Sequence, residues 1–404
     1  MSTAILQRTG LEPGAAPMST PDQPAAVASS PLRVVMVFNM DACQGPTGVT
    51  RHALAQLDRL AHRPDVALRL ISGRMTEPDG RAYWDSLEDL PRRELFLRTR
   101  DLLRWWRLQP WPAIERIAGP ADWVYSPAEY LVPSRKARRA VTSHDVLQYL
   151  RFGPPKSRDM MAAAFQRADL ILSVSDFNTQ RLIESFPACK DRIAHVPNAA
   201  EDLFFEPCGP GERESVRDDL GLPPGVPYLL SVANFQPRKN LIRLIRAASA
   251  LREVASGDLA LVLLGAGAPH EVKPLREAVA AIGPRALIRL PGYRQGKVLR
   301  AAYAEATALV FPSLCESFGI PVVEAMAQGV PVALADSTAL PEIGGAAGWY
   351  FPPDDESAIT ATLRDLLDRP LERARRTELG LAVAAQYRWR TANDQLVAAL
   401  TARL

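Results

Sequence analysis

"ALVFPSLCESFGIPVVEAMAQGVPVALAD", residues 308–336, begins and ends on apolar runs of strand length and carries a third apolar run between them. Strands over 308–313 and 331–336, joined by a helix that starts near Gly319, form a β-α-β unit, because parallel strands need a crossover connection. Within that helix Glu324 stands among Ile320, Pro321, Val322, Val323, Ala325, Met326 and Ala327, so the segment reads as buried on every side. A carboxylate taken out of water must be paired or hydrogen-bonded. Glu324 therefore needs partners, supplied either by the chain or by a ligand. Pro321 suits a first helical turn. The helix start aims its free N–H groups and positive dipole end at the polar loop Cys315-Glu316-Ser317-Phe318, which makes an anion site with Glu316 at its mouth. An anion and hydroxyl groups within reach of one helix start describe a nucleotide or a phosphorylated sugar. A buried salt bridge at Glu324 and a capping role for Glu316 form the alternative.

The same alternation runs along the chain. Short apolar segments recur at 33–38, 67–72, 122–126, 139–143, 169–175 and 192–197, and again at 228–233, 259–265, 286–292, 308–313, 331–336 and 348–353. Helical patterns lie between them, which predicts an α/β protein with parallel sheets. Residues 206–227 are dense in Pro, Gly and charge and are expected to link two Rossmann-like halves, 32–205 and 228–385. Ligands of such sheets bind at the carboxyl ends of the strands, here in the cleft between the halves. Residues 1–31, rich in Ala, Pro, Ser and Thr without the apolar core of a signal peptide, are expected to be a disordered leader. Met18 is an alternative start.

Composition excludes several classes. A net charge of +3 over 404 residues argues against a dedicated nucleic-acid binder. Cys43, Cys189, Cys208 and Cys315 are scattered, fitting neither a zinc site nor a disulfide framework, and suit a reducing cytoplasm. No apolar run approaches the ~20 residues of a membrane span. "LLGAGAPH" follows a strand but lacks the third glycine of a dinucleotide fingerprint, and there is neither a P-loop nor an Asp-x-Asp motif.

Candidate polar residues cluster just after strand ends. "SVANFQPRKNLIRLI" sets Arg238 and Lys239 before a helix start, where two cations oppose the dipole unless an anion lies between them. A solvated surface pair is the alternative. "AVTSHDVLQYL" places His144 and Asp145 after a strand of the first half, for a structural or a functional role. Gly48 in "QGPTGVTRH" permits close backbone approach to a diphosphate, or makes an ordinary strand-to-helix turn.

With these residues assembled, the chain resembles the retaining glycosyltransferases of GT-B fold, family 4, over about residues 33–404. "SLCESFGIPVVEAMAQGVPV" resembles the family's E-x7-E segment and "PRKN" its phosphate-binding loop. "HVPNAAEDLF", "ALPEIGGAAGWYFPPDD" and "YRWRTA" resemble its later motifs. The resemblance implies a nucleotide-sugar donor, with Glu316 on hydroxyls of the transferred sugar and Glu324 on the ribose. It sets the backbone of Ser317, Phe318 and Gly319 against sugar and diphosphate, with Lys239 and Arg238 neutralising the diphosphate. Gly292 and Tyr293 face the base, His144 lies against the reacting sugar, and Gly48 lies closest to the diphosphate. The ligand then supplies the partners of Glu324. Apart from the Gly48 backbone, the nucleotide is expected to meet the second domain, with His144 reaching the hexose from the first. The resemblance also implies GDP-mannose or a UDP-sugar as donor, a glycan or lipid-linked acceptor in surface polysaccharide or glycolipid synthesis, no metal and no cofactor. It further implies a C-terminal helix, 386–404, that crosses back to the first domain. Departures are Asn234, Thr47 and Ala199, where family members often carry Arg, Gly and Gly.

"RRELFLRTRDLLRWWRLQPWP" (92–112) holds six arginines between 92 and 107 against two acids. At helical spacing Leu95, Leu102 and Trp106 share a face, which suits peripheral docking on an anionic membrane from the cytoplasm or packing on its own domain. Rival readings are a GT-B nucleotide-sugar epimerase and a non-catalytic nucleotide-sugar-binding subunit. The second should lack His144 or Glu316, both of which are present.

Overall fold

The computed structural model describes residues 30–43, 47–254, 258–283 and 287–404. The expected leader, up to residue 29, and residues 44–46 of the first glycine-containing loop lie outside the described residues. The described chain folds around two all-parallel sheets. The first comprises β1 (Leu32–Val37), β2 (Val66–Ser72), β3 (Arg92–Glu94), β4 (Trp123–Ser126), β5 (Arg138–Ser143), β6 (Leu170–Ser173) and β7 (Ile193–His195), in the order β3-β2-β1-β4-β5-β6-β7. The second comprises β8 (Tyr228–Val232), β9 (Ala260–Leu264), β10 (Ile288–Gly292), β11 (Ala308–Phe311), β12 (Val332–Ala335) and β13 (Gly348–Phe351), in the order β10-β9-β8-β11-β12-β13.

Strands such as Ala260–Leu264 and Ala308–Phe311 are buried at every position, as a sheet covered by helices on both faces requires. In each sheet the strand order reverses beside the first strand, between β1 and β4 and between β8 and β11. A crevice opens outside the carboxyl ends at such a switch point. The loops carrying Lys239 and Glu316 leave β8 and β11, and Gly48 follows β1. Topology alone thus gathers them.

Residues 206–227, expected as the interdomain linker, are not extended chain throughout. Pro210–Asp219 is a helix, and Val216, Leu220 and Leu222 join the core of the second sheet together with Phe204 and Cys208. The Pro and Gly residues mark a helix start: Pro210 occupies the first turn, and Glu212 accepts the Gly209 N–H at 3.1 Å. Residues 92–112 are not one amphipathic element either. They hold edge strand β3 and the helix Thr99–Leu108, whose Leu102 and Trp106 are buried against Val35, Val37 and Ile114 of their own domain. Trp105, Leu108, Trp111 and Phe96 remain exposed. The two adjacent tryptophans have opposite fates because neighbours on a helix are about 100° apart.

The helix Trp389–Thr401 closes the fold by packing Trp389, Leu396 and Leu400 into the core of the first sheet, although it follows the second. The Trp123 indole donates to the Leu400 carbonyl at 3.1 Å, and the Trp389 ring meets the His52 ring edge-on at 5.4 Å. Trp389→Ala is expected to cost about 3–5 kcal/mol and to lower the urea unfolding midpoint. An unchanged midpoint would place this helix outside the cooperative core.

Candidate active site

The second-domain wall is built from two loops zipped together. After β11 the chain runs through Pro312–Phe318 to Gly319, whose φ of +103° lies in the left-handed region. A Cβ there would stand 3.1 Å from Leu340 Cδ2, so glycine serves both the turn and the packing. The helix Ile320–Ala327 then begins, with Pro321 in its first turn. Beside it, the turn Pro237–Lys239 leaves β8, and Asn240 adopts left-handed geometry. Asn240 Nδ2 donates to the carbonyls of Pro312 (3.1 Å) and Pro353 (2.8 Å), while the Leu314 N–H donates to Arg238 O at 2.8 Å.

This zipper brings Lys239 into a buried ion pair with Glu316. Arg238 Nη1 lies 3.5 Å from the other Glu316 oxygen and donates to Cys315 O at 2.7 Å. Burial alone would raise the Glu316 carboxyl, but Lys239 and Arg238 outweigh it and hold the group below the usual carboxylate range. Lys239 and Arg238 thus stand directly before the start of the Ile320–Ala327 helix, where an anion is favoured.

Glu324 lies one turn further in, with no exposure to solvent. The chain itself supplies partners, including the buried salt bridge expected as the alternative. Tyr303 Oη donates to Glu324 Oε2 at 2.8 Å, and Arg51 of the first domain forms an ion pair with Oε1. Arg51 Nε also donates to Glu201 Oε1 at 3.2 Å. The helix Gly48–Ala61 delivers Arg51 because its first turn abuts the second domain: a Cβ on Gly48 would lie 3.9 Å from Ile320 Cδ1. Gly48 itself is exposed, capped by Thr47, whose hydroxyl accepts the Thr50 N–H at 3.3 Å.

The first-domain wall holds His144 at the end of β5. Its Nε2 lies 2.8 Å from the Pro127 carbonyl, which only accepts, so Nε2 carries a proton and donates it there. The backbone N–H of His144 donates to Glu129 Oε1 at 2.5 Å, so the loop after β4 grips this residue twice. Burial pushes the Glu129 carboxyl up. Behind His144, at 4.8 Å between ring centroids, His52 is bonded to Asn198 Oδ1 (2.8 Å) and Tyr125 Oη (3.1 Å). Burial, with His144 beside it, holds His52 well below its ordinary value, hence neutral.

Asp145 caps the helix Val146–Phe152 and faces Ser317 across the cleft, close enough for that hydroxyl to favour its ionised form. Burial nevertheless raises its carboxyl. Ser317 Oγ is buried without a partner of full hydrogen-bond geometry. Elsewhere Glu342 of the second domain accepts the N–H groups of Asp176 and Phe177, each at 2.8 Å, at the start of a first-domain helix. The two walls thus meet at the Arg51–Glu324 ion pair and where Glu342 accepts the Asp176 and Phe177 N–H groups.

The structure therefore brings Arg238, Lys239, Glu316 and Ser317 together with Asp145, and His144 adjoins them. Phe318 turns its ring into the core, edge-on to Tyr387 at 5.3 Å. Gly292 (φ +93°) ends β10, and Tyr293 behind it is half exposed, within the field of Arg51. Arg51, Tyr303, Glu129 and a role for Asp145 were missed. Asp145 and Arg51 lie in stretches that the sequence reading singled out, one and three residues from assigned neighbours, whereas Tyr303 and Glu129 carry no local signal.

The family model of glycosyl transferases group 1 matches residues 212–380. The chain is 30% identical to O-antigen chain mannosyltransferase B of Escherichia coli over 382 residues, 90% of this chain and 98% of that one. It is also 30% identical to the serotype-specific mannosyltransferase WbdA of Escherichia coli over 256 residues, 61% of this chain and 31% of WbdA. Among solved structures it is similar to Anabaena HepE in complex with UDP and glucose, with a TM-score of 0.72, 16% identity and coverage of 92% and 100%. At that identity the likeness establishes the fold, which is GT-B.

Removing one member of a buried pair strands the other. Lys239→Met should cost about 3–5 kcal/mol, whereas the double change with Glu316→Gln should cost less, read as a double-mutant cycle in urea. The depressed Glu316 value fixes the sign with pH. Its contribution is complete above the unfolded carboxylate value of about 4.3 and is lost as pH falls through the folded one. A cycle without coupling would contradict the pairing.

Proposed function

The chain belongs to the group 1 glycosyltransferases, and from that premise we propose that it transfers mannose from GDP-mannose to a sugar of a growing, lipid-linked surface polysaccharide, with retention at the anomeric carbon. A UDP-sugar is the alternative donor. The observation that carries this reading is the buried Lys239–Glu316 pair, with Arg238, set before the start of the helix Ile320–Ala327. The mannosyltransferase relative, aligned over nearly its whole length, supports the choice of hexose.

In this reading the diphosphate enters between Lys239, Arg238 and the N–H groups that begin the helix. Lys239 turns from Glu316 to phosphate oxygen, and Glu316 is released toward hydroxyls of the sugar. The C1–O bond to the diphosphate breaks with its electron pair leaving on the phosphate oxygen, as positive charge builds on the ring. Once donor is seated, these cations and helix N–H groups already face the departing oxygen and stabilise the separation with no further reorganisation, usually the largest catalytic contribution of such sites. The acceptor oxygen attacks C1 on the same face, and its proton passes to the departing diphosphate. His144, held through its Nε2–H, presents the other ring nitrogen for a hydrogen bond with the sugar. Asp145 lies at the boundary of the two walls, where the acceptor enters.

Among the described residues, no helix is long and apolar enough to cross a membrane. Exposed Trp105, Leu108 and Trp111, beside exposed Arg100 and Arg104, offer a lipid-linked acceptor a docking rim on the first domain. Buried Trp106 takes no part in it.

Transfer of labelled hexose from GDP-mannose and UDP-glucose to a mannose-terminated acceptor tests the reading. Product is expected with GDP-mannose, with activity surviving EDTA. Interconversion of the free donor without transfer, or a strict requirement for divalent metal, would overturn it. Lys239→Ala should slow turnover at saturating donor by at least a hundredfold, of the order seen when one oxyanion donor is removed.

A further inference from the structure

We propose that Arg51 positions Glu324 for recognition of the donor ribose, so that the first domain takes part in holding the nucleotide. This rests on the reading that Glu324 faces the ribose hydroxyls. Arg51 sits in the first turn of the helix Gly48–Ala61, where a cation opposes the helix dipole. Its position there is explained by what it reaches. The guanidinium crosses the cleft to Glu324 and is steadied from the other side by Glu201.

An ionised carboxylate offers about four lone-pair positions on two oxygens. Arg51 occupies one position on Oε1, and Tyr303 occupies one on Oε2 at 2.8 Å. One position on each oxygen remains, the arrangement a vicinal diol needs. Arg51 and Tyr303 thus set the plane of the carboxylate and leave its paired acceptor edge to the ligand.

Charge makes the same demand. Glu324 is fully buried, and Arg51 is the cation paired with it among the described residues. Without that cation the buried carboxylate loses its charge partner and one of the two donors that fix its plane. Loss of Arg51 should therefore damage ribose recognition selectively and leave the diphosphate contacts of Lys239 and Arg238 in place.

Calorimetric titration with GDP against 2′-deoxyGDP, and UDP against 2′-deoxyUDP, tests this. Wild type should prefer the ribonucleotide by about tenfold or more, the value of a hydrogen bond to a charged acceptor. In Arg51→Met that preference should collapse to about twofold or less, while affinity for the deoxynucleotide changes little. Arg51→Lys should recover part of it. Tyr303→Phe, which removes only the second donor to Glu324, should also reduce it and serves if Arg51→Met does not fold. Equal loss for both nucleotides in Arg51→Met, with the ratio intact, would make Arg51 merely structural and overturn the proposal while the Glu324 reading stands. Wild-type indifference to the 2′-hydroxyl, or failure to bind either diphosphate, would instead remove the Glu324 reading and this inference with it.

Discussion

A carboxylate with no access to water has to be answered by its surroundings, and Glu324 is answered from both halves of the molecule. Tyr303 belongs to the second domain and Arg51 to the first, so one buried oxygen pair draws the two sheets to a common point. Burying such a pair contributes little net stability, because desolvation offsets most of the attraction. Its value is geometric. The helix Gly48–Ala61 has to lie against the helix Ile320–Ala327 for the charges to meet, and that contact defines the inner edge of the cleft.

The Lys239–Glu316 pair follows the same logic one turn nearer the opening. Each acid in the cleft stands beside a donor that a ligand can share or displace. The site is held ready by internal substitutes for the ligand's own groups. His144, Asp145 and the neutral His52 form a first-domain wall whose hydrogen bonds are settled in advance, which limits reorganisation when substrate arrives.

Much of this was legible in the sequence. Continuous apolar runs such as Leu261–Leu264 have no helical or alternating period to confuse them with amphipathic elements, and each expected strand core was found. Edge strand β3 escaped because it is three residues long and carries two arginines. Within 206–227 the helix was not foreseen, because Pro and Gly mark helix starts as readily as linkers. Within the cleft, residues tied to a local pattern, such as Lys239 beside a helix start or Gly319 before Pro321, announce themselves. Arg51, Tyr303 and Glu129 do not, since each owes its place to a partner far along the chain. A carboxylate stranded in an apolar helix declares that partners exist, but their identity is a fact of tertiary structure.

The central claim is that a nucleoside diphosphate binds across this cleft, with phosphates on Lys239 and ribose on Glu324. A crystal structure of the protein with GDP or UDP tests it most directly. Phosphate oxygens within hydrogen-bond distance of Lys239 and the Ile320–Ala327 helix start, and ribose hydroxyls on Glu324 with Arg51 still beside it, are the expected result. A nucleotide seated elsewhere, or one in the cleft with its ribose turned away from Glu324, would contradict the account.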